Sequence, residues 1–176
     1  MGQTEAVDRI LRQARRLFFV GIGGISMSSL AWICRANGYE VAGSDRAISA
    51  MTEKLEADGI PVAHAHRAEN IDGFDAVVWT GAVNLENPEL AAATARGIPL
   101  IYRADLLGWM MGAYRHRIGV AGMHGKSTTT AMLGHLFAAA GREPTVLCGA
   151  ETDEMDGAYT LGEKEDFIFE SCEYKD

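Results

Sequence analysis

The chain has 176 residues, 48% of them hydrophobic, and a formal net charge of −8. That length suits one large domain or two small ones, and the apolar share supports a real core and argues against disorder. The acidic balance excludes a general affinity for nucleic acid or an anionic membrane surface, while leaving room for a local basic pocket.

At the N-terminus Val7, Ile10, Leu11 and Ala14 recur at helical spacing among Glu5, Asp8, Arg9 and Arg12, which predicts an amphipathic helix and no signal-peptide core. No run approaches the roughly 20 apolar residues of a membrane span, so membrane insertion is not expected. Leu17 to Ile22 reads as a buried strand, Gly24 to Asn37 as a helix ended by Gly38, and Glu40 to Gly43 as a second strand, which together make a βαβ unit. Asp75 to Thr80 reads as a strand. Asn87 can cap a helix opened by Pro88 and stopped near Gly97, Pro99 to Tyr102 is a further strand, and Ala104 to Met111 looks helical. Alternation of this kind predicts an α/β fold with a mainly parallel sheet covered on both faces.

Gly112 to Arg117 is polar and precedes a fresh strand, Ile118 to Ala121, which places a linker at 112–117 between a first domain, 1–111, and a second, 118–176. The second continues with a helix from Lys126 to Ala140 ended by Gly141, a strand Pro144 to Cys148 and an apolar stretch Phe167 to Phe169. A phosphate-loop domain needs about 100 residues or more to cover its sheet, so this one reads as the N-terminal part of something longer. Rapid amide exchange and early proteolysis are expected after about Arg117 unless self-association covers the second unit. Cys34, Cys148 and Cys172 are widely spaced with no Cys-x-x-Cys pair, and read as reduced, mostly buried thiols in a cytoplasmic protein. Met27, Met110, Met111 and Met132 read as core filler, and His135 as a partly buried packing residue.

Two strand-to-helix junctions carry the chemistry. At the first, Gly21-Ile22-Gly23-Gly24-Ile25-Ser26, glycines permit a tight turn and let a pyrophosphate approach the helix N-terminus, while Asp45, just past the second strand, is placed to accept from ribose hydroxyls. The sixth position is Ser26 instead of the glycine or alanine of a dinucleotide fingerprint, so a dinucleotide and a UDP-sugar both remain open. The second junction, Gly122-Met123-His124-Gly125-Lys126-Ser127-Thr128, reads as a phosphate-binding loop: backbone amides turn toward phosphate oxygens, Lys126 supplies a point charge and Ser127 a hydroxyl for Mg²⁺. A standard loop has glycine where Val120 stands. His124 reads as a nucleotide hydrogen-bonding group or a loop cap.

Phe19-Val20-Gly21-Ile22-Gly23-Gly24-Ile25-Ser26-Met27-Ser28, Gly43-Ser44-Asp45, Asn87-Pro88-Glu89, Arg103-Ala104-Asp105-Leu106-Leu107, the loop from Gly122 to Thr130 and Glu170-Ser171-Cys172-Glu173-Tyr174 occur in an order and spacing that resembles the Mur ligases. The resemblance implies a Rossmann-like domain for the UDP-sugar, with Gly21, Gly23, Gly24, Ile25, Ser26 and Asp45 at that ligand, followed by the start of a P-loop ATPase domain. ATP would meet Gly122, Met123, His124, Gly125, Lys126, Ser127 and Thr128. The implied reaction is ATP-driven amide formation through an acyl phosphate, with UDP-N-acetylmuramate and L-alanine as partners. Lys126 and Glu170 are then the catalytic candidates, and Ser127 and Glu170 the Mg²⁺ ligands, with Glu173 open as the alternative carboxylate. Glu170 has a physical case of its own, since a strand ending there delivers a carboxylate to the edge where ligands gather in parallel sheets. The family usually has glycine at Ser26, threonine at Met123 and glycine at Ala65, and it continues with regions that close over ATP and position the amino acid, so no turnover is expected from this segment by itself. An NAD-linked oxidoreductase, a non-catalytic nucleotide-binding module and the related ligase that recycles peptide onto UDP-N-acetylmuramate are the competing readings.

Overall fold

A computed structural model describes residues 3–152 and 157–171; Cys172 and Glu173 lie outside them. The chain divides into two compact units, Met1–Trp109 and Met110–Asp176.

In the first unit, helix α1 (Gln3–Gln13) leads into strand β1 (Arg16–Val20), followed by α2 (Ile25–Ala36), β2 (Glu40–Ser44), α3 (Ala50–Ala57), β3 (Val62–Ala63), β4 (Ala76–Trp79), α4 (Pro88–Arg96), β5 (Leu100–Tyr102) and α5 (Arg103–Met111), the last straddling the division. The strands form one sheet in the order β3-β2-β1-β4-β5, with every neighbouring pair parallel. Strand β1 is central and covered on both faces, which is why Leu17, Phe18, Phe19 and Val20 read as an unbroken apolar run. Phe18, Val20 and Val77 pack with Leu90 and Ala93 of α4 and with Ile71. Between β3 and β4 the chain makes a 3-10 turn at Ala68–Ile71.

Local signals explain most boundaries. Asn87 Oδ1 accepts from the backbone N–H groups of Glu89 and Leu90 at 2.8 and 3.4 Å, Pro88 opens α4, and Gly97 closes it in the left-handed conformation at φ 70°. The Asp8 carboxylate accepts from Arg12 Nε at 2.6 Å and from Trp109 Nε1 at 3.1 Å, which ties α1 to α5 and holds that carboxyl below the usual carboxylate range. Complete burial pushes the Cys34 thiol far up, so it stays protonated and inert.

The second unit comprises β6 (His116–Val120), α6 (Lys126–Ala139), β7 (Thr145–Thr152), β8 (Gly157–Thr160) and β9 (Asp166–Glu170). Its sheet runs β6-β9-β7-β8; β6, β9 and β7 are mutually parallel and β8 is antiparallel to β7. Strand β6 begins at His116, inside the stretch 112–117 expected as linker, because His116 and Arg117 already pair with Asp166 and Phe167. Asp166 anchors that end: 2% exposed, it receives Arg142 at 2.6 Å on each oxygen and His116 Nδ1 at 3.1 Å. Two packing expectations are corrected. Helix α6 packs on β6, β7 and β9 with one face, and its other face leaves His135 exposed, Met132 60% exposed and Leu136 62% exposed, whereas Met27 and Met110 are buried as expected and Met111 is half-buried.

Candidate functional site

In the first unit the strand order reverses at β1, between β2 and β4, and the glycine loop leaves β1 at its C-terminal end, the position where open parallel sheets bind ligands. The loop is held by backbone. Gly21, in the left-handed region at φ 79°, and Ile22 both donate their N–H to the Ser44 carbonyl, at 2.8 and 3.0 Å. Gly23 donates to Asp45 Oδ2 at 2.9 Å, and Ala47 to Asp45 Oδ1 at 3.0 Å. A Cβ on Gly23 would lie 2.9 Å from both Asp45 Oδ2 and Thr52 Cγ2, so this place accepts no side chain. Helix α2 then opens at Ile25 behind Gly24 with no side-chain cap, leaving first-turn amides for an anion.

Gly21, Gly23, Gly24, Ile25, Ser26 and Asp45 are therefore brought together at one sheet edge. The expected ribose acceptor Asp45 has both carboxylate oxygens engaged with loop amides, and each oxygen retains acceptor capacity. A further group, in the sequence only part of a motif, joins them. Arg103 donates from Nη1 to Ser26 Oγ at 3.0 Å, bringing a guanidinium to the loop. Its signal was a basic residue directly after the last strand of the sheet, which is the ligand edge. A surface depression of about 300 Å³ lined by Arg12, Arg15, Asn37 and Tyr39 lies instead at the N-terminal ends of β1 and β2, and belongs to neither loop.

In the second unit the loop after β6 carries Gly122, Met123, His124 and Gly125 into α6, whose first residues are Lys126, Ser127 and Thr128. Gly125 holds the junction at φ 76°, a left-handed conformation that glycine adopts without cost. Met123, His124 and Thr128 are exposed, and Thr130 is fully buried beneath the helix. Lys126 Nζ donates to the Gly122 carbonyl at 2.6 Å, folded over its own loop. Val120 and Glu170 are register partners at the ends of adjacent strands, so Glu170 arrives opposite the loop. Its Oε2 accepts from Ser127 Oγ at 2.7 Å and from the Gly149 N–H at 2.8 Å. Gly149 was not singled out from sequence, yet a Cβ there would collide with the Glu170 carboxylate. One hydroxyl and one carboxylate suit Mg²⁺, which keeps several waters and takes further oxygens from nucleotide phosphates. Among the described residues no group of three or more His, Cys, Asp or Glu side chains is arranged to hold a metal alone, and no helix is long and apolar enough to cross a membrane.

A parallel sheet with a glycine loop at its switch point, followed by a unit in which a lysine–serine loop faces a strand-end carboxylate, defines an α/β protein with two candidate phosphate-binding loops. The family pattern described as Mur ligase family, catalytic domain, matches residues 16–115, and the chain belongs to that family. It is similar to the UDP-N-acetylmuramate--L-alanine ligase of Clostridium beijerinckii, at 43% identity over 161 residues, 92% of this chain and 35% of that protein. Among solved structures it resembles the UDP-N-acetylmuramate-alanine ligase of Thermotoga maritima, with 32% identity and a TM-score of 0.75 over 88% of this chain and 36% of that one. A murein peptide ligase of Psychrobacter arcticus gives 28% identity and a TM-score of 0.82 over 91% of this chain and 38% of that one. The chain thus spans about a third of the length of these relatives.

Proposed function

We propose that the first unit binds UDP-N-acetylmuramate at its glycine loop, and that the second contributes the phosphate loop of an ATP-dependent ligase joining L-alanine to that nucleotide sugar. The observation that carries the ligase reading is the 2.7 Å contact between Ser127 Oγ and Glu170 Oε2, a hydroxyl and a carboxylate converging beside a phosphate-loop lysine. An oxidoreductase needs no such second loop.

In the proposed reaction the lactyl carboxylate of UDP-N-acetylmuramate attacks the γ-phosphorus of ATP and expels ADP, giving an acyl phosphate. The amine of L-alanine then attacks the acyl carbon, inorganic phosphate leaves with the carbonyl–phosphate bond, and the amine loses a proton. Such chemistry asks the protein for position and charge more than for a nucleophile. Lys126 would leave the Gly122 carbonyl to meet the β- and γ-phosphates, and the amides from Gly122 to Thr128 would line the phosphates. Ser127 and Glu170 would hold Mg²⁺, which when bound neutralises phosphate charge. In the first unit, the uncapped start of α2 and the Arg103 guanidinium would receive the pyrophosphate, with Asp45 offering its remaining acceptor capacity to the ribose. L-alanine is taken as the acceptor on the 43% identity to the Clostridium ligase, with a peptide acceptor as the second reading.

Thermal-shift titration of the 176-residue chain tests this reading. UDP-N-acetylmuramate is expected to raise the melting temperature in a concentration-dependent way, and NADH to leave it unchanged. Stabilisation by NADH and none by the nucleotide sugar would assign the loop to a dinucleotide.

A further inference from the structure

Glu89 is fully buried, and among the described residues no lysine or arginine pairs with it. A carboxylate in such a place is costly unless each oxygen is met. Here both are. Oε1 accepts from Asn70 Nδ2 at 2.6 Å, and Oε2 accepts from Ser44 Oγ at 2.8 Å and lies 2.8 Å from His66 Nδ1. His66 Nδ1 is also 3.0 Å from Ser44 Oγ.

With Glu89 ionised, these distances assign the donor and acceptor roles. The single hydroxyl hydrogen of Ser44 goes to Glu89, so toward His66 the serine can only accept, and the carboxylate can only accept as well. Both neighbours of Nδ1 are acceptors, and Nδ1 must therefore carry a proton. In the neutral ring the lone pair is left on Nε2, for which no protein partner is recorded among the described residues, and the side chain remains 11% exposed. Ser44 makes the connection to the loop, because its carbonyl receives the Gly21 and Ile22 amides while its hydroxyl joins Glu89 and His66.

We propose that Glu89 is a positioning residue of the nucleotide site: from the start of α4 it sets His66 in the Nδ1–H form, presenting Nε2 as an acceptor at the ligand edge, and holds the Ser44 hydroxyl whose residue anchors the glycine loop. The inference rests on the reading of the first unit as a nucleotide-sugar site. It accounts for a buried glutamate within Asn87-Pro88-Glu89, a motif to which binding and phosphoryl transfer assign no role.

Long-range ¹H–¹⁵N spectra of the imidazole, recorded on the whole chain in mildly alkaline buffer, test it without any substitution. Wild-type protein should show His66 protonated at Nδ1 and bare at Nε2, and saturation with UDP should move the Nε2 resonance. In Glu89→Gln the amide oxygen stays on Asn70 and the amide nitrogen donates to Nδ1, so the ring proton should shift to Nε2. UDP affinity by calorimetry should then fall by at least about fivefold, the scale of one hydrogen bond. Protonation at Nε2 in the wild type overturns the proposal, as does a shifted proton with undiminished UDP affinity in Glu89→Gln. If the wild type does not bind UDP at all, the functional reading of the unit fails instead, and the tautomer still decides whether Glu89 sets the ring.

Discussion

At the start of β1 the Asp75 carboxylate accepts from the backbone N–H groups of Arg15 and Arg16, at 2.7 and 2.9 Å, and these bonds hold its pKa below the usual carboxylate range. Lowering on folding means that protonation opposes folding. The contribution is complete above the ordinary carboxylate pKa and is lost as pH falls through the lower folded-state value. Asp75→Ala should therefore reduce unfolding stability by about 1 kcal/mol at neutral pH, a small figure because the carboxylate is exposed, and the gap from wild type should close in strong acid. Urea denaturation at several pH values checks this; a gap that widens toward acid would contradict it. Single residues also show how far the sequence could be read. The glycines of both loops and Lys126 were legible because few residue types serve those places. Glu89 and Arg103 were not: charged residues are mostly exposed, and only the fold shows that one is fully buried in a hydrogen-bond network and the other reaches Ser26.

Among elements, those with strong periodicity or caps were legible, including α2, α4 and the apolar strands β1 and β4. The stretch between β2 and β4 was not. Helix α3 begins at a capping box in which Ser49 and Thr52 bond reciprocally, with threonine where glutamate or glutamine usually gives the signal away. Strand β3 has two residues, and β8 pairs antiparallel beside parallel neighbours, so neither carries a periodic pattern. The apolar runs of β7 and β9 were legible, but their pairing was not, and it is the pairing that sets Gly149 against Glu170. Gly149→Ala should push the carboxylate away from Ser127 and weaken Mg²⁺–ATP binding by about ten- to a hundredfold, the usual cost of disturbing a group that orients a metal ligand. Isothermal titration measures it, and adding Glu170→Asp, which withdraws the carboxylate by one methylene, should recover part of the loss. Equal affinity in Gly149→Ala and wild type would remove Glu170 from the proposed metal site.

For the whole molecule, the fold has two sheets, a parallel one in the first unit and a mixed one in the second, each with a loop leaving a strand at its C-terminal edge. The central proposal is that the two loops serve different ligands, the nucleotide sugar at Gly21 to Ser26 and ATP at Gly122 to Thr128. Calorimetry of UDP-N-acetylmuramate against wild type, Gly23→Val and Lys126→Ala tests it most directly. Gly23→Val places a side chain where Asp45 and Thr52 leave no room, and should abolish binding, while Lys126→Ala should keep wild-type affinity. Undiminished affinity in Gly23→Val, or a loss of about tenfold or more in Lys126→Ala, would contradict the assignment of two loops to two ligands.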